Sequence, residues 1–147
     1  MEPRISIITL GVSDMERAWR FYKEGLGLPT TAPSDAGIVF FKTSGACLAL
    51  YPFDKLAEDI GSDYVDAAKE GKPKFPGITI AHNTREKAQV EELLARAEKA
   101  GGKIIKPAQD VFWGGYSGYF TDPDGYLWEV AWADCWKFHA DGSLVIE

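Results

Sequence analysis

Ile8-Thr9-Leu10-Gly11-Val12 and Ile78-Thr79-Ile80-Ala81-His82 read as one strand written twice, about 70 residues apart in a chain of 147. Each copy precedes an amphipathic helical stretch and then further strand-like segments. A repeat of this length leaves room for two related βα-plus-strand halves and little else. Paired halves can enclose a cleft, in which equivalent positions of the two face one ligand.

In the first half, residues 4–12 predict a strand. Ser13-Asp14-Met15-Glu16 has the form of a capping box, with Ser13 as N-cap and Glu16 reaching back. Met15, Ala18, Trp19, Tyr22 and Leu26 follow at helical spacing, Gly25 and Gly27 end the helix, and Pro29 prevents its continuation. Strands are expected at Gly37 to Lys42 and Ala46 to Tyr51, joined by a Thr43-Ser44-Gly45 turn. Between the halves lies a segment at 53–75 with a candidate short helix, Phe53 to Ile60, and a charged, irregular remainder. It reads as a solvated linker or as a partial lid.

The second half starts at Gly77. Asn83 or Thr84 caps a helix carrying Val90, Leu93, Leu94 and Ala97, stopped at Gly101-Gly102. Lys103 to Lys106 is a short strand ahead of Pro107, and Gly118 to Thr121 is another. Asp122-Pro123-Asp124-Gly125 makes a turn, and Tyr126 to Trp132 is the last strand of the repeat. A tail from residue 133 to 147 carries Asp141-Gly142, a hairpin signal.

Size and composition bound the function. With 46% hydrophobic and 26% charged residues the chain suits one globular domain. It has no apolar run long enough for a transmembrane helix. The start, Met1-Glu2-Pro3-Arg4, lacks the features of a signal peptide, so a cytoplasmic location is expected. The net charge of −6 comes without a basic stripe and argues against nucleic acid. Cys47 reads as a small buried hydrophobe. Four of the five tryptophans, Trp113, Trp128, Trp132 and Trp136, fall in the last quarter, either as core or as the lining of a pocket for a flat or apolar molecule.

At Asp14, Phe21-Tyr22 and Leu26-Gly27-Leu28, and again from Gly118-Tyr119-Phe120 through Asp122-Pro123-Asp124-Gly125 to Tyr126-Leu127-Trp128-Glu129, the chain resembles the vicinal oxygen chelate superfamily. Its members include glyoxalase I, bleomycin-resistance proteins, extradiol dioxygenases and fosfomycin-resistance enzymes. The resemblance spans roughly residues 4 to 132. It implies an α+β fold of paired βαβββ modules forming curled sheets around a cleft, at about 4–52 and 76–132, often completed in a homodimer. Metal-dependent members take one ligand from the first and one from the last strand of each module. Carried onto this chain by the repeat, those positions are Ile7, Ala49, Gly77 and Glu129. Only Glu129 can coordinate, so no metal and no cofactor are expected. Tyr126 stands where many relatives carry histidine, and His82 and His139 read as exposed.

Glu129 is then either a paired structural carboxylate or a group that binds or acts on a ligand. The candidate ligand-binding residues are Trp113, Tyr116, Glu129, Phe41 and Trp132. The Trp113-Gly114-Gly115-Tyr116-Ser117-Gly118 segment reads as a bulged loop packed on the core or as an aromatic wall. Three functions compete: a metal-free binder of an unidentified small molecule, a lyase or dioxygenase-like enzyme using Glu129, and an interaction module. Whether the chain is an enzyme is left open at this level.

Overall fold

The computed structural model describes residues 1–71 and 75–146; the end of the expected linker at 72–74 lies outside the described residues. The chain divides into two compact units, one up to Gly77 and one from Ile78 onward.

In the first unit, β1 (Ile7–Val12) begins later than expected and runs parallel to β3 (Cys47–Pro52), which pairs antiparallel with β2 (Val39–Phe41). The sheet order is β1-β3-β2, unclosed. Helix α1 (Met15–Trp19) is capped by Asp14, one residue after the expected cap Ser13. Asp14, in an extended conformation, accepts from the Arg17 amide at 2.9 Å, while Ser13 Oγ accepts from the Arg17 guanidinium. Glu16 pairs with Arg20 instead of reaching back. A carboxylate at Asp14 caps as well as a hydroxyl at Ser13, and it sits where the chain turns.

From Arg20 to Gly25 the helix widens to π geometry, with Leu26 N–H donating to Phe21 O. The extra residue per turn lets the adjacent Phe21 and Tyr22 both face inward, edge to face at 5.0 Å, each almost without exposed surface. Together with Leu10, Val12, Val39, Phe41, Leu48 and Leu50 they form the core of this unit.

The segment expected as a linker belongs to the first unit and is more ordered than its composition suggests. Phe53–Ile60 is helix α2, as expected, but Ser62–Lys69, read as irregular, is a second helix, α3. Ala67 and Ala68 favour it and Lys69 pairs with Asp66 one turn away. Helix α2 lies against β1 at Gly11, where an added Cβ would come within 2.9 Å of the Phe53 ring.

The second unit has a four-stranded sheet, order β4-β7-β6-β5, formed by β4 (Ile80–Asn83), β5 (Lys103–Asp110), β6 (Tyr116–Thr121) and β7 (Leu127–Trp132). Helix α4 (Ala88–Lys99) buries Val90, Leu94 and Ala97 against Phe120, Trp128 and Val130. Gly118 permits that approach: a Cβ there would lie 2.6 Å from Leu94 Cδ1 and 2.9 Å from the Lys106 carbonyl. Neither Asn83 nor Thr84 caps α4. Its N-cap is Lys87, and the Gln89 side chain accepts from the Arg85 and Glu86 amides at 3.1 Å.

Strand β5 runs through Pro107, where a stop was expected. It is the sheet edge, and Pro107 falls in an irregular stretch of the ladder between Lys106 and Gln109, so its missing N–H costs no regular bond. The tail turns at Asp141-Gly142 as expected, closed by an isolated bridge between Phe138 and Leu144.

The units share one plan, β-α-β-β, with the first and last strands parallel. The register moves the sequence repeat by two residues. Thr9 lies beside Ala49 and Ala81 beside Glu129, so the counterpart of Ile8 is Ile80, and Ile78 precedes the strand. Where β5 stands in the second unit, the first has an irregular chain containing Pro29 and Pro33, whose one ladder-like bond is Lys42 N–H to Pro29 O. Two prolines remove the donors that a fourth strand needs.

Candidate functional site

The position of Glu129 is set by the turn before it. Asp122 Oδ1 accepts from the amides of Asp124 (3.0 Å) and Tyr126 (2.8 Å), and the Asp122 N–H donates to Tyr126 O. Gly125 closes the turn at φ +88°. The turn locks the β6–β7 register at Thr121 opposite Leu127, Phe120 opposite Trp128 and Tyr119 opposite Glu129. Phe120 and Trp128 stack under α4, so alternation turns Tyr119 and Glu129 to the other face of the sheet.

On that face Tyr119 and Glu129 stand directly opposite each other as cross-strand partners. Burial of the phenol and, after it, the neighbouring Glu129 carboxylate hold the Tyr119 pKa above its ordinary value, so the phenol stays a donor through neutral and mildly alkaline pH. On the other side of Tyr119, in register on β5, is Lys106, its Nζ 5.9 Å from the Tyr119 ring centroid. Next to Glu129 on β4 is Ala81, which takes little space. A carboxylate that accepts one phenol O–H keeps lone pairs for a ligand donor. The partner expected for Glu129 was a lysine, an arginine or a backbone amide; it is a tyrosine.

The other candidates do not gather around Glu129. Phe41 has no exposed surface and packs on Tyr22 at 5.8 Å, so it is core and cannot wall a site; its neighbour Phe40 occupies the opposite face, 45% exposed. Tyr116 is in β6 and not in a loop. It pairs with Trp132 on the α4 face, donates to Glu91 Oε1 at 2.5 Å and lies under Lys87. Both Tyr116 and Trp132 therefore point away from Glu129. Trp113 does lie in the loop, folded over Gly115 and stacked on Trp136 at 5.8 Å, with 44% of its surface exposed. His82 and His139 are exposed, and Cys47 is only half-buried.

Sequence reasoning missed Tyr119 and Lys106. The turn offered the first: once Asp122 and Tyr126 are paired, counting outward puts Tyr119 opposite Glu129. No comparable signal marked Lys106, because β5 is irregular between Ile104 and Lys106 and the count slips by one there.

The fold and this site define a class: an α+β protein built of two curled, unclosed sheets, β-α-β-β in the first unit and β-α-β-β-β in the second, with a carboxylate on the last strand of the second. The chain belongs to the Glyoxalase/Bleomycin resistance protein/Dioxygenase superfamily, whose model matches residues 4–130. A glyoxalase-related enzyme from Fulvimarina pelagi is 35% identical, with a TM-score of 0.84 and 98% of each chain covered. A glyoxalase/bleomycin resistance protein/dioxygenase from Nocardioides is 22% identical (TM-score 0.72, 92% of this chain and 87% of that one). A lactoylglutathione lyase from Agrobacterium tumefaciens is 24% identical (TM-score 0.63, 92% and 98%). No curated protein matches the sequence.

The metal positions of this superfamily are tested unit by unit. In the first unit they are Ile7 and Ala49, neither a donor. In the second, the last strand supplies Glu129; continuing the register by one residue puts Thr79, in place of Gly77, at the first-strand position. A neutral hydroxyl with one carboxylate is a weak donor set for a transition metal. Among the described residues no three of His, Cys, Asp and Glu are grouped to hold one. The residues present do not fit a metal centre. Also among the described residues, no helix is long and apolar enough to cross a membrane.

Proposed function

We propose that this protein is a metal-free small-molecule-binding member of its superfamily and that Glu129 anchors the ligand. The observation that carries this reading is the Tyr119–Glu129 pair on the face of the second sheet turned away from α4. The pair is polar and half-buried, and it stands where the superfamily places its chemistry. Trp113 supplies an exposed aromatic ring in the loop between β5 and β6 of the same sheet. Tryptophan fluorescence during a screen of aromatic and amphiphilic small molecules tests the assignment. Hits should weaken at least tenfold in Glu129→Gln; hits unaffected by Glu129→Gln and by Trp113→Ala would place the pocket elsewhere.

The second reading is a lyase or dioxygenase-like enzyme that uses Glu129 as a general acid or base. It is favoured by the 35% identity to a protein described as a glyoxalase-related enzyme. Turnover abolished by Glu129→Gln, with ligand affinity retained, would establish it in place of simple binding.

We also propose a cytoplasmic homodimer. Ile7, Ile38 and Phe40 leave apolar surface on the first unit, 49%, 39% and 45% exposed, which a second copy would cover. Sedimentation should show a species of twice 16.2 kDa at micromolar concentration. A single 16.2 kDa species would contradict this.

A further inference from the structure

Lys106, Tyr119 and Glu129 form a row across three adjacent strands on one face. Adjacent strands lie about 4.8 Å apart, so the backbone positions at the two ends of the row are about 10 Å apart. One end carries a cation, the other a carboxylate, and the aromatic ring stands between them, opposite Glu129 on β7 and 5.9 Å from Lys106 Nζ. The matching positions of the first unit hold Phe40 beside Ala49, with no strand beyond β2 to supply a lysine. The polar row therefore belongs to the second unit and is not a general feature of the fold.

We propose that this row recognises a zwitterionic small molecule with a flat body. Its ammonium meets Glu129, its carboxylate meets Lys106, and its apolar middle lies on the Tyr119 ring. This rests on the assignment of the ligand to the Glu129 face. Each end forms a charge-assisted contact that the other end cannot replace. The fixed phenol sets the separation between them, so a molecule engaging both ends gains over one engaging either alone.

Calorimetric titration with 4-(aminomethyl)benzoate, benzylamine and benzoate, which share a ring and differ only in charged ends, tests this. The zwitterion should bind at least about tenfold tighter than either single-charge probe, the least that one charge-assisted contact contributes. Lys106→Met should bring its affinity down to that of benzylamine while leaving benzylamine unchanged, which also shows that the variant is folded. Glu129→Gln should bring it down to that of benzoate. No binding of the zwitterion, or binding no tighter than benzylamine, overturns the inference; if Glu129→Gln still weakens benzylamine, the Glu129 site itself stands. Probes that bind but ignore Lys106→Met, Tyr119→Phe and Glu129→Gln alike would sink both.

Discussion

The two units use one plan for different ends, and the clearest place to see it is a single pair of residues in each. In the first, Phe40 on β2 faces Ala49 on β3; in the second, Tyr119 on β6 faces Glu129 on β7. These are the same positions of the shared framework. The second unit differs by a hydroxyl, a carboxylate and one added edge strand that brings Lys106 alongside. One residue further along each strand the units agree: Phe41 and Phe120 are both buried beneath their helices. The helix-facing side is thus held constant by packing, while the opposite side is free to diverge and is where we propose the ligand binds.

The largest effect should come from breaking what the units share. Phe41→Ala removes a fully buried ring and is expected to cost about 3–5 kcal/mol, with a fall in Tm of roughly 10 °C, whereas Phe40→Ala should stay within about 1 kcal/mol. Thermal melts of the two variants decide it. Equal losses would mean that the two faces of the first sheet are not distinct.

The next effect separates the two helix-admitting glycines. A Cβ at Gly118 would meet the Lys106 carbonyl and the Ala108 nitrogen, backbone atoms that cannot yield. At Gly11 its two nearest neighbours are side-chain atoms, Phe53 Cδ2 at 2.9 Å and Leu56 Cδ2 at 3.2 Å, with the Phe53 Cα looser at 3.3 Å. Gly118→Ala is therefore expected to cost about 2–3 kcal/mol and Gly11→Ala about 1 kcal/mol, read from urea midpoints. The reverse order would show that α2 is held more rigidly than α4.

A third experiment converts one unit's pair into the other's. Tyr119→Phe or Glu129→Ala alone leaves a polar group without its partner and should destabilise by about 1 kcal/mol. The double variant, which reproduces the Phe–Ala pair of the first unit, should be nearly neutral. Strict additivity in this cycle would deny the pair any coupling.

The smallest effect is a titration. Tyr119 is raised by burial and by Glu129, and Tyr51 of the first unit by burial and by Asp59. A phenol whose folded pKa is raised adds stability below its ordinary pKa, and that contribution is lost as pH rises through the folded value. In Glu129→Gln one tyrosine midpoint should move down toward the ordinary phenol range while that of Tyr51 stays put, followed by tyrosinate absorbance. No movement would mean that Glu129 does not hold the phenol.

Much of the fold was legible because periodicity and turn chemistry are local. The Asp122-Pro123-Asp124-Gly125 turn, helix α2 and the tail hairpin all stand where the residues put them. What failed depended on register or on tertiary packing. The repeat was offset by two residues because Ile78-Thr79-Ile80 resembles Ile8-Thr9-Leu10 as text, and only pairing with β7 shows that Ile80 is the counterpart of Ile8. Which face Phe41 takes depends on the β2–β3 register, which the sequence does not show. Tyr116 reads as loop because the glycines beside it hide the start of β6. The π widening that buries Phe21 and Tyr22 together has no signature in a pattern built on 3.6 residues per turn.

Metal content tests the central claim most directly, because one carboxylate without co-ligands separates this chain's site from a metal centre. Purified protein equilibrated with zinc, nickel, iron(II) or manganese, then desalted and analysed by mass spectrometry, should retain far less than one ion per chain, and Glu129→Ala should change nothing. One ion per chain that disappears in Glu129→Ala would contradict the account.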